Sequence, residues 1–203
     1  MRYTRPPMFT GIVQGLGTVR SLGRESVEIS LPDTLVDRLQ PGASVAVNGA
    51  CLTVATLSTA AFRADLSSET IARTTFASLH VGSRVNLELS ITPTAGFDGH
   101  LVLGHVDAVG RIKALFRDGA GWAMIVAYPP EFRGYVVEKG SIAVDGISLT
   151  PYGLDGATFR CSLIPKTYER TTLADRRPGD PINLEFDILA KYVERMVRGV
   201  HSD

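Results

Sequence analysis

The strongest constraint on this chain is that it states one pattern twice. Phe62 to Thr75 lies over Phe159 to Thr172 at a constant offset of 97 residues (159 − 62). Arg63 falls on Arg160, Leu66 on Leu163, and Arg73-Thr74-Thr75 on Arg170-Thr171-Thr172. Further on, Gly82 meets Gly179 and Asn86-Leu87-Glu88 meets Asn183-Leu184-Glu185. Upstream, Asn48-Gly49-Ala50-Cys51-Leu52-Thr53 meets Asp145-Gly146-Ile147-Ser148-Leu149-Thr150. A register held from residue 44 to residue 90 marks two copies of one folded unit. Two similar units can hold two similar ligands face to face.

The chain has 203 residues, so each unit is long enough to bury a core of its own. Lys and Arg number 21 against 21 Asp and Glu, with no basic run, which argues against nucleic acid as a partner. No apolar stretch approaches the ~20 residues that span a bilayer. The start, Met1-Arg2-Tyr3-Thr4-Arg5-Pro6-Pro7, lacks the apolar core of a secretory signal. Cys51 and Cys161 occupy non-equivalent places in the two copies, so no disulfide framework is expected, and a reducing, cytoplasmic setting is. The four His and two Cys have no zinc-ligand spacing, and no metal is expected.

Val27 to Leu31, Val85 to Leu89 and Ile182 to Phe186 alternate with period two, and Gly or Pro punctuates at Pro41-Gly42, Asn48-Gly49, Asp118-Gly119, Asp145-Gly146 and Pro178-Gly179. Many short strands between turns predict an all-β sandwich or barrel in each copy, and a barrel also removes exposed sheet edges. Short helical pieces are expected over Pro32–Leu39 and Pro129–Val136, and over Ser67–Thr74 and Pro165–Thr171. The units read as an extension over 1–7, barrels over 8–97 and 98–187, and a helix over 188–203, with a linker near Thr92 to Gly99. That helix has no counterpart in the first copy. Its Ile188, Leu189, Tyr192, Val193, Met196 and Val197 form one apolar stripe, suited to partner helices or to its own barrel.

No nucleophile elbow, Walker loop, dinucleotide fingerprint or metalloprotease motif is present. The chemistry therefore falls to the repeated turns. Cys51 and Thr53 stand two apart on one strand, as do Ser148 and Thr150, so each pair shares a face. Four small polar groups on equivalent strands suit the edge of a flat heterocycle. The plainer alternative is that Asn-Gly and Asp-Gly are only hairpin turns and threonine only a strand former. Gly104-His105-Val106 lies over Gly11-Ile12-Val13, so a titratable group occurs in one copy only. Lys139 lies over Gly42 in the same unequal way. Such asymmetry suits two bound molecules with different roles.

Met8-Phe9-Thr10-Gly11-Ile12-Val13, Val47 to Val54, Gly99-His100 through Asp107, Lys139 to Thr150, and Ala190-Lys191-Tyr192-Val193-Glu194-Arg195 together resemble the riboflavin synthase family, alpha-chain type, from Met8 to about Arg198. The resemblance implies two tandem six-stranded Greek-key barrels plus a C-terminal helix through which three chains assemble. It implies two molecules of 6,7-dimethyl-8-ribityllumazine, one passing a four-carbon unit to the other, giving riboflavin and 5-amino-6-(D-ribitylamino)uracil without a cofactor. It also implies a site between the N-terminal barrel of one chain and the C-terminal barrel of the next, and leaves association with lumazine synthase open.

Implied ligand contacts in the first copy are Gly11, Ile12, Val13, Ser44, Cys51, Leu52, Thr53, Asp65, Leu66, Ser67, Ser68, Glu69 and Thr70. In the second they are Gly104, His105, Val106, Lys139, Ser148, Leu149, Thr150, Leu163, Ile164, Pro165, Lys166, Thr167 and Tyr168. We expect His105, Ser148 and Thr150 to manage proton transfer at one ring, Cys51 and Thr53 to hold the other, and Lys139 and Asp145 to orient groups nearby. Leu103, Ala50 and Ser67 depart from residues common in the family. Pro151 and Pro181 should stand at strand ends, because proline removes a ladder donor. A non-catalytic antenna protein that binds lumazine or flavin is the nearest rival. It would lack the histidine at 105.

Overall fold

The computed structural model describes residues 8–92, 96 and 98–200. The expected extension, residues 93–95 and 97 of the linker, and residues 201–203 lie outside them. The first copy is a closed barrel in the order β1-β2-β5-β4-β3-β6, built from β1 (Gly15–Leu22), β2 (Ser26–Ser30), β3 (Ser44–Val47), β4 (Ala50–Leu57), β5 (Ala61–Asp65) and β6 (Arg84–Leu89). Its inward residues include Val19, Ile29, Val45, Leu52, Phe62 and Leu87. Each large side chain of this kind contributes about 1.5–3 kcal/mol on burial.

The second copy repeats the order with one interruption. Its strands are β7 (Ala108–Asp118), β8 (Gly121–Ala127), β9 (Ile142–Val144), β10 (Ile147–Leu149), β11 (Pro151–Tyr152), β12 (Thr158–Leu163) and β13 (Pro181–Phe186). They run β10-β9-β13-β7-β8-β12-β11. β10 and β11 are two halves of the strand equivalent to β4, broken at Thr150, so the ring closes over six strand positions. The break has a local cause. In β4 the N–H of Val54 donates to the Ala43 carbonyl at 2.9 Å. Its counterpart Pro151 has no N–H, and the ladder lapses there. Pro181 opens β13, and both prolines stand at strand ends as the sequence requires.

The expected helical pieces form as α1 (Asp33–Val36), α2 (Ser68–Arg73), α3 (Pro165–Glu169) and a 3-10 turn over Pro130–Tyr135. α4 (Ile188–Val200) follows β13. Ile188, Lys191 and Glu194 turn toward its own barrel, where the Tyr135 hydroxyl donates to Glu194. Leu189, Tyr192, Val193, Met196 and Val197 stay more than half exposed. The apolar stripe is thus not consumed by the helix's own barrel.

The barrels meet along a seam with near two-fold symmetry. The two-residue hairpins Asn48-Gly49 and Asp145-Gly146 touch there. A Cβ on Gly49 would lie 2.7 Å from the Gly146 nitrogen, and one on Gly146 would lie 2.7 Å from the Gly49 nitrogen. Only glycine fits that approach, and both have φ near +75° (+79° and +74°), where L side chains are strained. Asn86 Nδ2 donates to the Asp145 carbonyl at 2.9 Å, and Asn183 Nδ2 to the Asn48 carbonyl at 2.8 Å. Their Oδ1 atoms accept from Thr172 and Thr75 N–H, each at 2.8 Å. The polar face of β6 and β13, which alternation alone assigns to solvent, is therefore covered by the opposite barrel.

Candidate active site

Each barrel closes the other's polar strand. The Gly104 carbonyl accepts the Cys51 N–H, and the Gly11 carbonyl accepts the Ser148 N–H, both at 2.8 Å. A Cβ on Gly104 would lie 2.5 Å from Cys51 Cβ, and one on Gly11 2.6 Å from Ser148 Cβ. The loop preceding β7 thus belongs spatially to the first barrel, and the loop preceding β1 to the second. Consistently, Val106 packs on the first core and Val13 on the second. Within the chain, the groups expected together at one ring are divided between two places. Within one chain His105 shares a cleft with Cys51, while Ser148 faces Gly11.

Two buried glutamates fix these loops. Glu185 accepts from the N–H groups of Leu103, Gly104 and His105 at 2.7, 2.9 and 3.0 Å. Glu88 accepts from Thr10 N–H and hydroxyl at 2.7 and 2.9 Å, and from Gly11 N–H at 3.0 Å. Burial raises both carboxyls above their ordinary range, while the loop amides pull them back. Glu185 is pushed up to about 7. Sequence reading missed this pair. The signal lay in the repeated Asn-Leu-Glu, which alternation presents as an outward face.

The cleft at Cys51 measures about 500 Å³, within the range of small-molecule sites. Cys51, Ser67, Thr70 and Arg73 line it from the first barrel, and Gly104, His105, Val106, Asp107 and Phe132 from the second. Cys51 is half-buried, Leu52 points into the core and Thr53 is exposed, so Cys51 and Thr53 do share the outward face. Burial pushes the Cys51 thiol up, a hydrogen bond to Ser44 opposes this, and Glu185 adds to it. It is a thiol near neutral pH, not a thiolate. Above the cleft, the Ser67 hydroxyl caps α2 by accepting Thr70 N–H at 3.0 Å, worth about 1 kcal/mol. Glu69 pairs with Arg73 at 3.6 Å, Asp65 with Arg63 at 3.0 Å, and Leu66 is buried. Ser68 opens α2.

The equivalent place around Ser148 is furnished differently. His100 Nδ1 lies 2.6 Å from Ser148 Oγ, and His100 Nε2 is buried with no partner among the described residues. Burial lowers the His100 pKa, and the Asp187 charge raises it somewhat. The sequence reading passed over His100, although Gly99-His100 stood in a motif. Leu149 and Leu163 point inward, and Thr150 is exposed. Ile164 is exposed, and Pro165, Lys166, Thr167 and Tyr168 form α3. That helix lacks a side-chain cap. Instead Tyr168 stacks on Trp122 with ring centres 3.9 Å apart.

Lys139 takes φ +62°, the conformation Gly42 takes at +83° in the first copy. A side chain there costs about 1–2 kcal/mol, so the lysine occupies this place against local strain. Its ammonium lies 4.9 Å from the Tyr152 ring centre. Asp145 stands apart from both polar strands' outward faces. It is wholly buried in the seam, where its Oδ1 accepts Asn183 N–H at 2.8 Å and its Oδ2 meets Arg176 at 2.6 Å. Burial raises its carboxyl, and the guanidinium opposes this. Among the described residues no group of three or more His, Cys, Asp or Glu is placed to hold a metal, and no helix is long and apolar enough to cross a membrane.

The family model for the lumazine binding domain matches twice, over residues 10–90 and 103–187. A riboflavin synthase of Mycobacterium tuberculosis is 45% identical over 201 residues, covering 94% of this chain and 98% of the relative. One from Photobacterium phosphoreum is 39% identical, covering 94% and 89%, and one from Bacillus subtilis is 35% identical, covering 97% and 93%. Among solved structures, LumP complexed with 6,7-dimethyl-8-(1'-D-ribityl) lumazine superposes with a TM-score of 0.80 at 22% identity, covering 88% of this chain and 98% of that one. At that identity the likeness concerns the fold. Two matched domains and near-full-length relatives establish that this chain belongs to the riboflavin synthase family of tandem lumazine-binding barrels.

Proposed function

We propose that the chain is a riboflavin synthase: it converts two molecules of 6,7-dimethyl-8-ribityllumazine into riboflavin and 5-amino-6-(D-ribitylamino)uracil by transfer of a four-carbon unit. The observation that carries this reading is the exchange of glycine loops. It makes two half-sites of one design but unequal chemistry, one with Cys51 and His105, the other with Ser148 and Ile12. Each would take one lumazine, whose amide-like ring edge suits backbone groups and small polar side chains. The ribityl hydroxyls would meet Ser67, Thr70 and Glu69 at one half-site, and Lys166 and Thr167 at the other.

A proton leaves the 7-methyl group of one ring, and the extended ring system holds the resulting carbanion. His105, with Ser148 and Thr150 on the other half-site, would handle the protons. Cys51 and Thr53 would position one ring, and Lys139 would steer polar groups of the other. Asp145 would act at a distance, by fixing the turn that precedes Ser148. Holding two rings in register contributes roughly 7–11 kcal/mol toward the barrier.

The turns that precede Cys51 and Ser148 meet at Gly49 and Gly146, which supports a reading in which the two half-sites of one chain lie apart. A face-to-face pair would then be completed by a second copy. The exposed stripe of α4, beside an apolar groove of about 620 Å³ lined by Val137, Leu189 and Val193, supports assembly through the helix, and the trimer is the stoichiometry that the family resemblance implies. A cytoplasmic location and contact with a lumazine-making enzyme accord with a soluble substrate.

The test is to mix purified protein with 6,7-dimethyl-8-ribityllumazine and follow riboflavin absorbance. Riboflavin with its diamino co-product in equal amounts is the expected result. A shifted lumazine spectrum without product would replace the enzyme by an antenna protein. An unchanged spectrum would leave only an interaction module.

A further inference from the structure

The loop over 103–107 is held from two sides. Glu185 on β13 gathers its three N–H groups from below. At its end, Asp107 Oδ2 accepts Phe186 N–H at 2.9 Å, and the same carboxylate meets Lys191 Nζ on α4 at 2.6–2.7 Å. In the first copy Gln14 takes the place of Asp107, and its Oε1 accepts Leu89 N–H at 3.3 Å, Leu89 being the counterpart of Phe186. Gln14 is neutral, and among the described residues no helix of the first copy corresponds to α4. Among the described residues an ionic tie from a helix to a cleft loop is present in the second copy and not in the first. That loop is also the one with a titratable side chain at its centre, His105 in place of Ile12.

We propose that Lys191 and Glu185 are positioning residues, through which the seating of the terminal helix sets the placement of the loop that carries His105. The proposal rests on the synthase reading for its kinetic test. Ionisable groups around Glu185 include Asp107 at the end of the loop, Lys191 from α4 and Cys51 across the cleft from β4, and the loop it holds carries His105. Asp107 pushes the Glu185 carboxyl up, and Lys191 pulls it down. Ionised Glu185 accepts all three loop amides, whereas the protonated form gives up one acceptor. Losing Lys191 leaves Asp107 uncompensated and favours protonation. Losing Asp107 leaves Lys191 uncompensated and favours ionisation.

The experiment compares Lys191→Met, Lys191→Arg, Asp107→Asn and Glu185→Gln, assayed as turnover against pH from 5.5 to 9, with assembly state measured at the assay concentration. Wild-type turnover should rise through pH 7, where Glu185 ionises. Lys191→Met should move that limb up, and Asp107→Asn should move it down, each by about one pH unit. Lys191→Arg should return it toward the wild-type position, and Glu185→Gln should lack it. A purely structural role lowers turnover in both charge variants without opposed movement. Limbs that move together or not at all, or a Glu185→Gln enzyme that keeps the wild-type limb, overturn the proposal. A second measurement needs no catalysis: amide proton resonances of Leu103, Gly104 and His105 titrate in the free protein, with midpoints displaced in the same opposed directions. Absence of wild-type turnover with that titration intact removes the synthase reading alone. Turnover with flat amide resonances removes the positioning role alone.

Discussion

The turns Asn48-Gly49 and Asp145-Gly146 occupy equivalent places, make matching backbone contacts, and differ by one charge. At four places where the copies diverge the first copy is neutral: Asn48, Leu79, Gln14 and Ile12. The second places Asp145, Arg176, Asp107 and His105 at the same positions. Asn48 keeps a buried Nδ2 without a partner among the described residues, whereas Asp145 takes Arg176. The lesson is that this duplication kept its backbone geometry and diverged in electrostatics. On the proposed function, two identical substrates would meet two half-sites of one backbone design and different polarity, which suits opposite roles in one reaction.

The largest expected effect comes from giving the second copy half of the first copy's pair. Arg176→Leu introduces the residue at Leu79 and strands a carboxylate that is wholly buried. Leaving one member of such a pair costs about 3–5 kcal/mol. Adding Asp145→Asn completes the exchange and should recover most of the loss, measured by urea unfolding. The pH dependence follows from the direction of the shift. Asp145 is raised in the folded state, and more so without Arg176, so its charge opposes folding as pH rises. The gap between Arg176→Leu and wild type should narrow as pH falls below the carboxylate range and widen toward neutrality. A double variant no more stable than the single one would show that the copies differ by more than this pair.

Next in size is the exchange at the loop centres. His105→Ile makes the two loop centres alike. It should lower turnover about 10²-fold, the lower end of what a positioned acid or base contributes. His105 is exposed, so stability should stay within about 0.5 kcal/mol. Ile12→His, the reverse transfer, should not restore activity to that variant, because its loop faces Ser148 and His100 rather than Cys51. Recovery of turnover in the double exchange would mean that the half-sites are interchangeable, and the comparison would lose its force.

Much of this was legible beforehand, for stated reasons. The offset and the turn residues carried the duplication. Period-two alternation carried the strands, and the i, i+4 stripe carried α4. Three features were not legible. Loop exchange depends on how two barrels dock, and no local pattern encodes that, so His105 was grouped with Ser148. Glu88 and Glu185 sit on strands whose alternation is the same whether the polar face meets water or another barrel. His100 entered only as part of a motif, because its value lies in a contact with Ser148 across 48 residues of chain.

The smallest effect concerns the two cysteines, which the copies do not share. Cys51 occupies the position of Ser148, so Cys51→Ser makes the two strands alike at that position. Burial already keeps Cys51 protonated near neutral pH, and its role is that of a weak hydrogen-bonding group beside Ser44. A hydroxyl should serve nearly as well, changing turnover by less than about tenfold, the worth of one neutral hydrogen bond. Alkylation measures the same point directly. Cys51 lines the cleft and should react with iodoacetamide slowly at pH 7 and faster as the thiol ionises, with protection by bound lumazine. Cys161 is enclosed in the second core and pushed up to about 12, so it should label only on unfolding. Fast labelling of Cys51 at pH 7, or a loss of turnover as deep as that of His105→Ile, would make it a thiolate participant. The difference between the half-sites would then rest on sulfur as well as on charge.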